Sequence, residues 1–184
     1  MHLKKLFLSI LFLAVINISV AQKLSQRLLE KIVKHIELKH LNDRMVRTET
    51  DSKIVLDFFE KNVDFDIRLY TFEIPKVNYG INYDGCSILV GDINQDGKNE
   101  PMVSVYENFG GSGMSFAYHF FFEIDGKLYT FLDTDVAQCH CALIPQNISN
   151  NGIEFLIDLR KSLNYTSIET RMYKWKDLKL VLVK

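Results

Sequence analysis

The apolar residues Leu24, Leu28, Leu29, Ile32, Val33 and Ile36 recur at helical spacing, so the stretch from Leu24 to Leu41 predicts an amphipathic helix. Glu30 lies four residues before Lys34, a favourable pair on the polar face. That face mixes both charge signs, which suits packing on the helix's own domain better than docking on a membrane or partner. Ile54, Val55, Phe58 and Phe59 keep the helical period over a shorter stretch, with Asp51 or Ser52 placed to cap it. Ile54, Leu56 and Phe58 also alternate as a strand would. The expectation adopted for this stretch is a short helix.

Beyond residue 62 the texture changes. Ile67 to Ile74 is a β-branched and aromatic run stopped by Pro75, and Ser87 to Val90 and Met102 to Tyr106 flank an acidic loop. Phe116, Tyr118, Phe120, Phe122 and Ile124 alternate onto one face, and Asp125-Gly126 then predicts a tight hairpin into Lys127 to Leu132. Ile153 to Leu159 is a further strand, and Thr170 to Trp175 with Leu178 to Val183 form a hairpin around Lys176-Asp177. The fold class expected is α+β, with one or two N-terminal helices packed on an antiparallel β-sheet and covering the aromatic face of the Phe116 to Ile124 strand. A single domain is expected over 22–184, helical over 22–62 and β-rich over 63–184.

Residues 1–21 read as a secretory signal peptide. Lys4 and Lys5 precede an apolar stretch from Leu6 to Ile16, and Ser19-Val20-Ala21 supplies small residues before Gln22. The stretch is shorter than the roughly 20 residues of a spanning helix. The expectation is therefore a periplasmic or secreted protein with no membrane anchor after cleavage. The Lys/Asn/Ile-rich composition suggests a bacterial setting. The 22 Lys and Arg balance 23 Asp and Glu in 184 residues, which argues against a nucleic-acid partner.

The most informative segment is Asp92-Ile93-Asn94-Gln95-Asp96-Gly97-Lys98-Asn99-Glu100. Asp92, Asn94, Asp96 and Glu100 place oxygens at loop positions 1, 3, 5 and 9, Gly97 permits a sharp turn, and the Lys98 carbonyl can point inward. A hard cation such as calcium takes six to eight oxygens, and this spacing offers five. Three carboxylates in so short a loop repel one another without a cation. An EF-hand would need helical flanks and a glutamate at position 12, where Val103 stands. With Gly91 in front, the segment resembles the loop of FG-GAP and VCBS-type repeats, with Glu100 in place of the usual Asp. The resemblance spans Ile88 to Met102, a single copy, so it implies local calcium chemistry and not the propeller of those families.

Cys139-His140-Cys141 carries two readings, a soft-metal site or a disulfide from Cys86 to Cys139 or Cys141; an oxidising compartment favours the disulfide. The Gly110-Gly111-Ser112-Gly113 stretch matches neither a P-loop nor a nucleophile elbow and reads as a connection between strands. No catalytic motif is evident. The expected function is an exported, non-enzymatic calcium-binding module for a protein or glycan partner. A hydrolase centred on His119, His140 or the Asp133/Asp135 pair is the first alternative, and an inhibitor or immunity protein the second.

Overall fold

A computed structural model describes residues 26–61, 66–76, 87–109, 116–133, 142–158 and 168–183. Within them one helix, α1 (26–39), precedes eleven strands: β1 (Arg44–Glu49), β2 (Lys53–Phe59), β3 (Arg68–Pro75), β4 (Ile88–Gly91), β5 (Glu100–Phe109), β6 (Phe116–Ile124), β7 (Lys127–Phe131), β8 (Ala142–Ser149), β9 (Gly152–Asp158), β10 (Ile168–Lys176) and β11 (Lys179–Leu182). The α+β expectation is thereby corrected. Strand makes up 63% of the described residues and helix 12%, in a mainly-β fold with one helix and two antiparallel sheets.

The first sheet runs β1-β2-β3-β5-β6-β7, with β4 on β5, and the second runs β11-β10-β9-β8. β3 pairs with the Tyr106–Phe109 end of β5 and β4 with its Glu100–Val103 end, so β4 extends the line of β3 along one edge of β5. The helix covers one face of the first sheet. Leu28, Leu29, Ile32, Val33 and Ile36 bury against Ile54, Leu56, Phe58, Phe72, Ile74, Val103, Val105 and Phe121. The second sheet covers the other face. There Tyr118, Phe120, Phe122 and Ile124 meet Leu143, Ile153, Phe155, Ile157 and Tyr173.

The expected placement of the helix is thus reversed. The aromatic face of β6 lies against the second sheet, while α1 lies over the alternate side of that strand, where Phe121 belongs to its core. The run Phe120-Phe121-Phe122 is buried throughout because β6 is covered on both faces, and such strands lose strict alternation.

The expected second helix is strand β2. Its period of two prevails because Ile54, Leu56 and Phe58 all reach the core, while the strand pairs with β1 on one edge and β3 on the other. β1 escaped notice because nearly every position is exposed on a sheet edge, leaving no apolar alternation to read. β8 was masked by Pro145, which sits where the β8–β9 register shifts, on an edge strand that tolerates a missing N–H. The Asp125-Gly126 turn forms as expected, both residues having positive φ (49° and 80°). The final hairpin turns one residue later than expected, at Asp177-Leu178, with Lys176 opposite Lys179.

Candidate functional site

The acidic loop joins two paired strands, with Gly91 opposite Glu100 and Leu89 opposite Met102. Side-chain oxygens of the loop turn inward onto its own backbone. Asp92 accepts the N–H of Asp96 through Oδ1 (3.0 Å) and that of Gly97 through Oδ2 (2.9 Å). Asn94 Oδ1 accepts from Asp96 N (3.2 Å), and Asp96 Oδ1 accepts from Lys98 N (2.9 Å). Gly97 has φ +89°, the left-handed conformation that the chain reversal requires.

Glu100 is the buried member of the set, 8% exposed, and its Oε2 accepts the N–H of Ile93 (2.9 Å). Burial pushes its carboxyl above the usual glutamate range, and the nearby charges of Asp96 and Asp92 push the same way; the Ile93 N–H opposes them. Asp96 moves downward, held ionised by the Asn94 amide and the Lys98 backbone N–H. Lys98 Nζ approaches Asp96 Oδ2 at 3.4 Å and is itself largely exposed.

The donor chemistry of Asp92, Asn94, Asp96, Glu100 and the Lys98 carbonyl suits a hard cation. Among the described residues no three acidic, imidazole or thiolate groups already stand together at metal-binding separation. An ion would therefore have to draw Asp92, Asp96 and Glu100 closer to one another.

A cleft of about 240 Å³ opens beside the loop, lined by Asp96, Lys98 and Glu100, the start of α1 at Arg27, and the β6–β7 turn at Asp125 and Gly126. Glu123 holds its far wall in place by pairing with both Arg27 and Lys31, and Lys31 Nζ also donates to the Gly126 carbonyl (2.8 Å). The loop's other side docks on the second sheet. Ile93 is buried in the core between the sheets, and Gln95 Nε2 donates to the Asn150 carbonyl in the β8–β9 turn (2.8 Å).

Of the residues proposed for hydrolysis, His119 and Asp133 are described, and they are not gathered. His119 pairs with buried Glu107 on the helix side of the first sheet. Asp133 is buried and accepts from Arg171 Nη1 (2.7 Å) and from the Tyr173 hydroxyl, across to the second sheet. Burial raises the Tyr173 hydroxyl to about 12, reinforced by the Asp133 bond. On α1, Nε2 of His35 is buried and meets no hydrogen-bond partner among the described residues, and burial lowers its pKa below the usual histidine value.

Cys86, Cys139, Cys141, His140, Asp135, the Gly110 to Gly113 stretch and the signal-peptide segment 1–21 lie outside the described residues. Among the described residues no helix is long and apolar enough to cross a membrane.

Sequence reasoning found the oxygen-bearing loop positions. It missed Ile93, which enters the core between the sheets, and Gln95, whose partner Asn150 lies 55 positions away in the β8–β9 turn. It also missed Arg171 and Tyr173, which reach Asp133 over 38 and 40 positions. The one legible trace was Ile93, an apolar residue inside a polar loop. No protein-family model matches the chain, and no curated protein or solved structure matches it significantly.

Proposed function

We propose that this chain is an exported, non-enzymatic binding module whose 92–100 loop takes one calcium ion to fix its conformation, presenting a surface to a protein or glycan partner. The observation that carries the reading is a buried carboxylate, Glu100, sharing a hairpin loop with Asp92 and Asp96. Asp92, Asn94, Asp96 and Glu100 would hold the ion with the Lys98 carbonyl. Bound there, it would neutralise the carboxylates whose mutual repulsion otherwise weakens the loop. Export is supported by the character of residues 1–21. The hydrolase alternative has weaker support, because His119 and Asp133 each serve a separate partner on opposite sides of the first sheet.

Glu100→Gln separates a metal-oriented carboxylate from a structural one. The folded-state carboxyl titrates above its unfolded value, so the folded chain loses stability as pH rises through the ordinary glutamate range into the raised one. At pH 7 the ionised group is therefore a cost in the metal-free protein. Gln keeps an acceptor for Ile93 N–H without the charge. In chelator the variant should melt higher by about 2–4 °C, the size of roughly 1 kcal/mol in a chain of this length. In calcium its metal-induced increment should shrink by about half or more. Scanning calorimetry in both buffers checks this, and a lower melting point in chelator with an unchanged calcium increment would refute the assignment.

A further inference from the structure

Alternate positions of the acidic loop serve different neighbours. Asp92, Asn94 and Asp96 carry the oxygens, while Gly91, Ile93 and Gln95 face the second sheet. At Gly91 the β4 backbone presses on β8 so closely that a Cβ would stand 2.5 Å from Cβ of Ile148. Ile93 fills the core between the sheets together with Ile153, at the head of β9. Gln95 reaches the turn itself, its amide donating to the Asn150 carbonyl at 2.8 Å from a left-handed backbone conformation, φ 63°. That conformation is uncommon for a residue with a side chain, and the Asn150 contact helps hold it. The turn is constrained from its other end too: Gly152, φ 122°, lies so close to Tyr173 O that a Cβ there would stand 2.3 Å away.

From this interleaving we infer that the 92–100 loop is a clasp between the two sheets, so that an ion gathered by Asp92, Asn94, Asp96 and Glu100 also tightens the β8–β9 turn through Ile93 and Gln95. The inference rests on the calcium reading above and adds a consequence of binding: the turn around Asn150 and Asn151 becomes the element whose order reports the ion. A partner that recognises this turn would meet a different surface in calcium-rich and calcium-poor surroundings. The coupling is local and physical, running from loop backbone to a side-chain amide to a carbonyl.

Hydrogen exchange on the full chain, read by mass spectrometry over 145–156 in millimolar calcium and in chelator, tests the clasp. Calcium binding is measured in parallel by calorimetry. Calcium should slow exchange over 145–156 by about threefold or more. Gln95→Ala should keep the calorimetric binding and lose the slowing, and Gln95→Gly, which suits the left-handed backbone, should do the same. Wild-type protein that binds calcium with unchanged exchange at 145–156 overturns the clasp and leaves the calcium reading standing, as does slowing that persists in both Gln95 variants. Wild-type protein that binds no calcium overturns both.

Discussion

Replacing Phe155 by Ala should remove about 3–5 kcal/mol of stability, the range for an aromatic ring deleted from a packed core. Phe155 is fully buried on β9 and touches rings contributed by both sheets: Phe120 at 4.9 Å, Phe131 at 6.0 Å and Tyr173 at 5.5 Å between centroids. Phe120 and Phe131 belong to the first sheet, and Tyr173 to the second. The cavity left by Ala would open between the layers, where aromatic neighbours cannot collapse without leaving their own partners. The melting temperature should fall by roughly 6–20 °C at 2–4 °C per kcal/mol. Phe155→Leu, which fills much of the volume, should cost a fraction of that. The chain's single tryptophan, Trp175, is a convenient reporter, since it sits 5.5 Å from Phe122 and 4.9 Å from Tyr129 across the same core. Urea unfolding followed by Trp175 fluorescence and by far-ultraviolet circular dichroism should give coincident transitions in wild type and variants. Separate transitions would mean that the two sheets do not share one cooperative core.

The second large effect is ligand-linked. At calcium a hundredfold above its dissociation constant, the proposed site should stabilise the folded chain by about 2.7 kcal/mol, or roughly 5–11 °C here. Asp92→Ala together with Asp96→Ala should abolish that increment. In chelator the same pair should change the melting temperature far less, because two effects oppose. The loop loses the acceptors for Gly97 and Lys98 N–H and one of the two for the residue-96 N–H, and it also loses two charges that disfavour ionised Glu100. Differential scanning calorimetry in both buffers reads the contrast. An equal drop in calcium and in chelator would show that the two aspartates act only as loop caps.

The helix, the Asp125-Gly126 hairpin and strand β6 were legible because each has a strong local signal: a 3.6-residue apolar period, a turn pair that accepts positive φ, and an aromatic run. What the sequence hid was the number of layers. Nothing local to Phe120-Phe121-Phe122 says which element covers which face, and a helix and a second sheet divide them. β2 misled because Ile54, Val55, Phe58 and Phe59 fit the helical period while Ile54, Leu56 and Phe58 fit a period of two, and pairing with β1 and β3 selects the second. β8 carries a proline in mid-strand, and β1 buries almost nothing. At the site, spacing singles out Asp92, Asn94 and Asp96, whose oxygens turn onto the loop's own backbone. The burial of Glu100, the cleft against Arg27 and Asp125, and the Gln95 bridge to Asn150 depend on segments distant in sequence. Long-range docking of this kind leaves no periodic trace.

Whether the 92–100 loop takes an ion is read by a calorimetric titration of the full chain with calcium at neutral pH. One site is expected, with a dissociation constant on the order of 10⁻⁵ to 10⁻³ M, as in extracellular calcium modules, and a melting temperature that climbs with calcium concentration. No binding heat, together with melting curves that superimpose in calcium and in chelator, would contradict it.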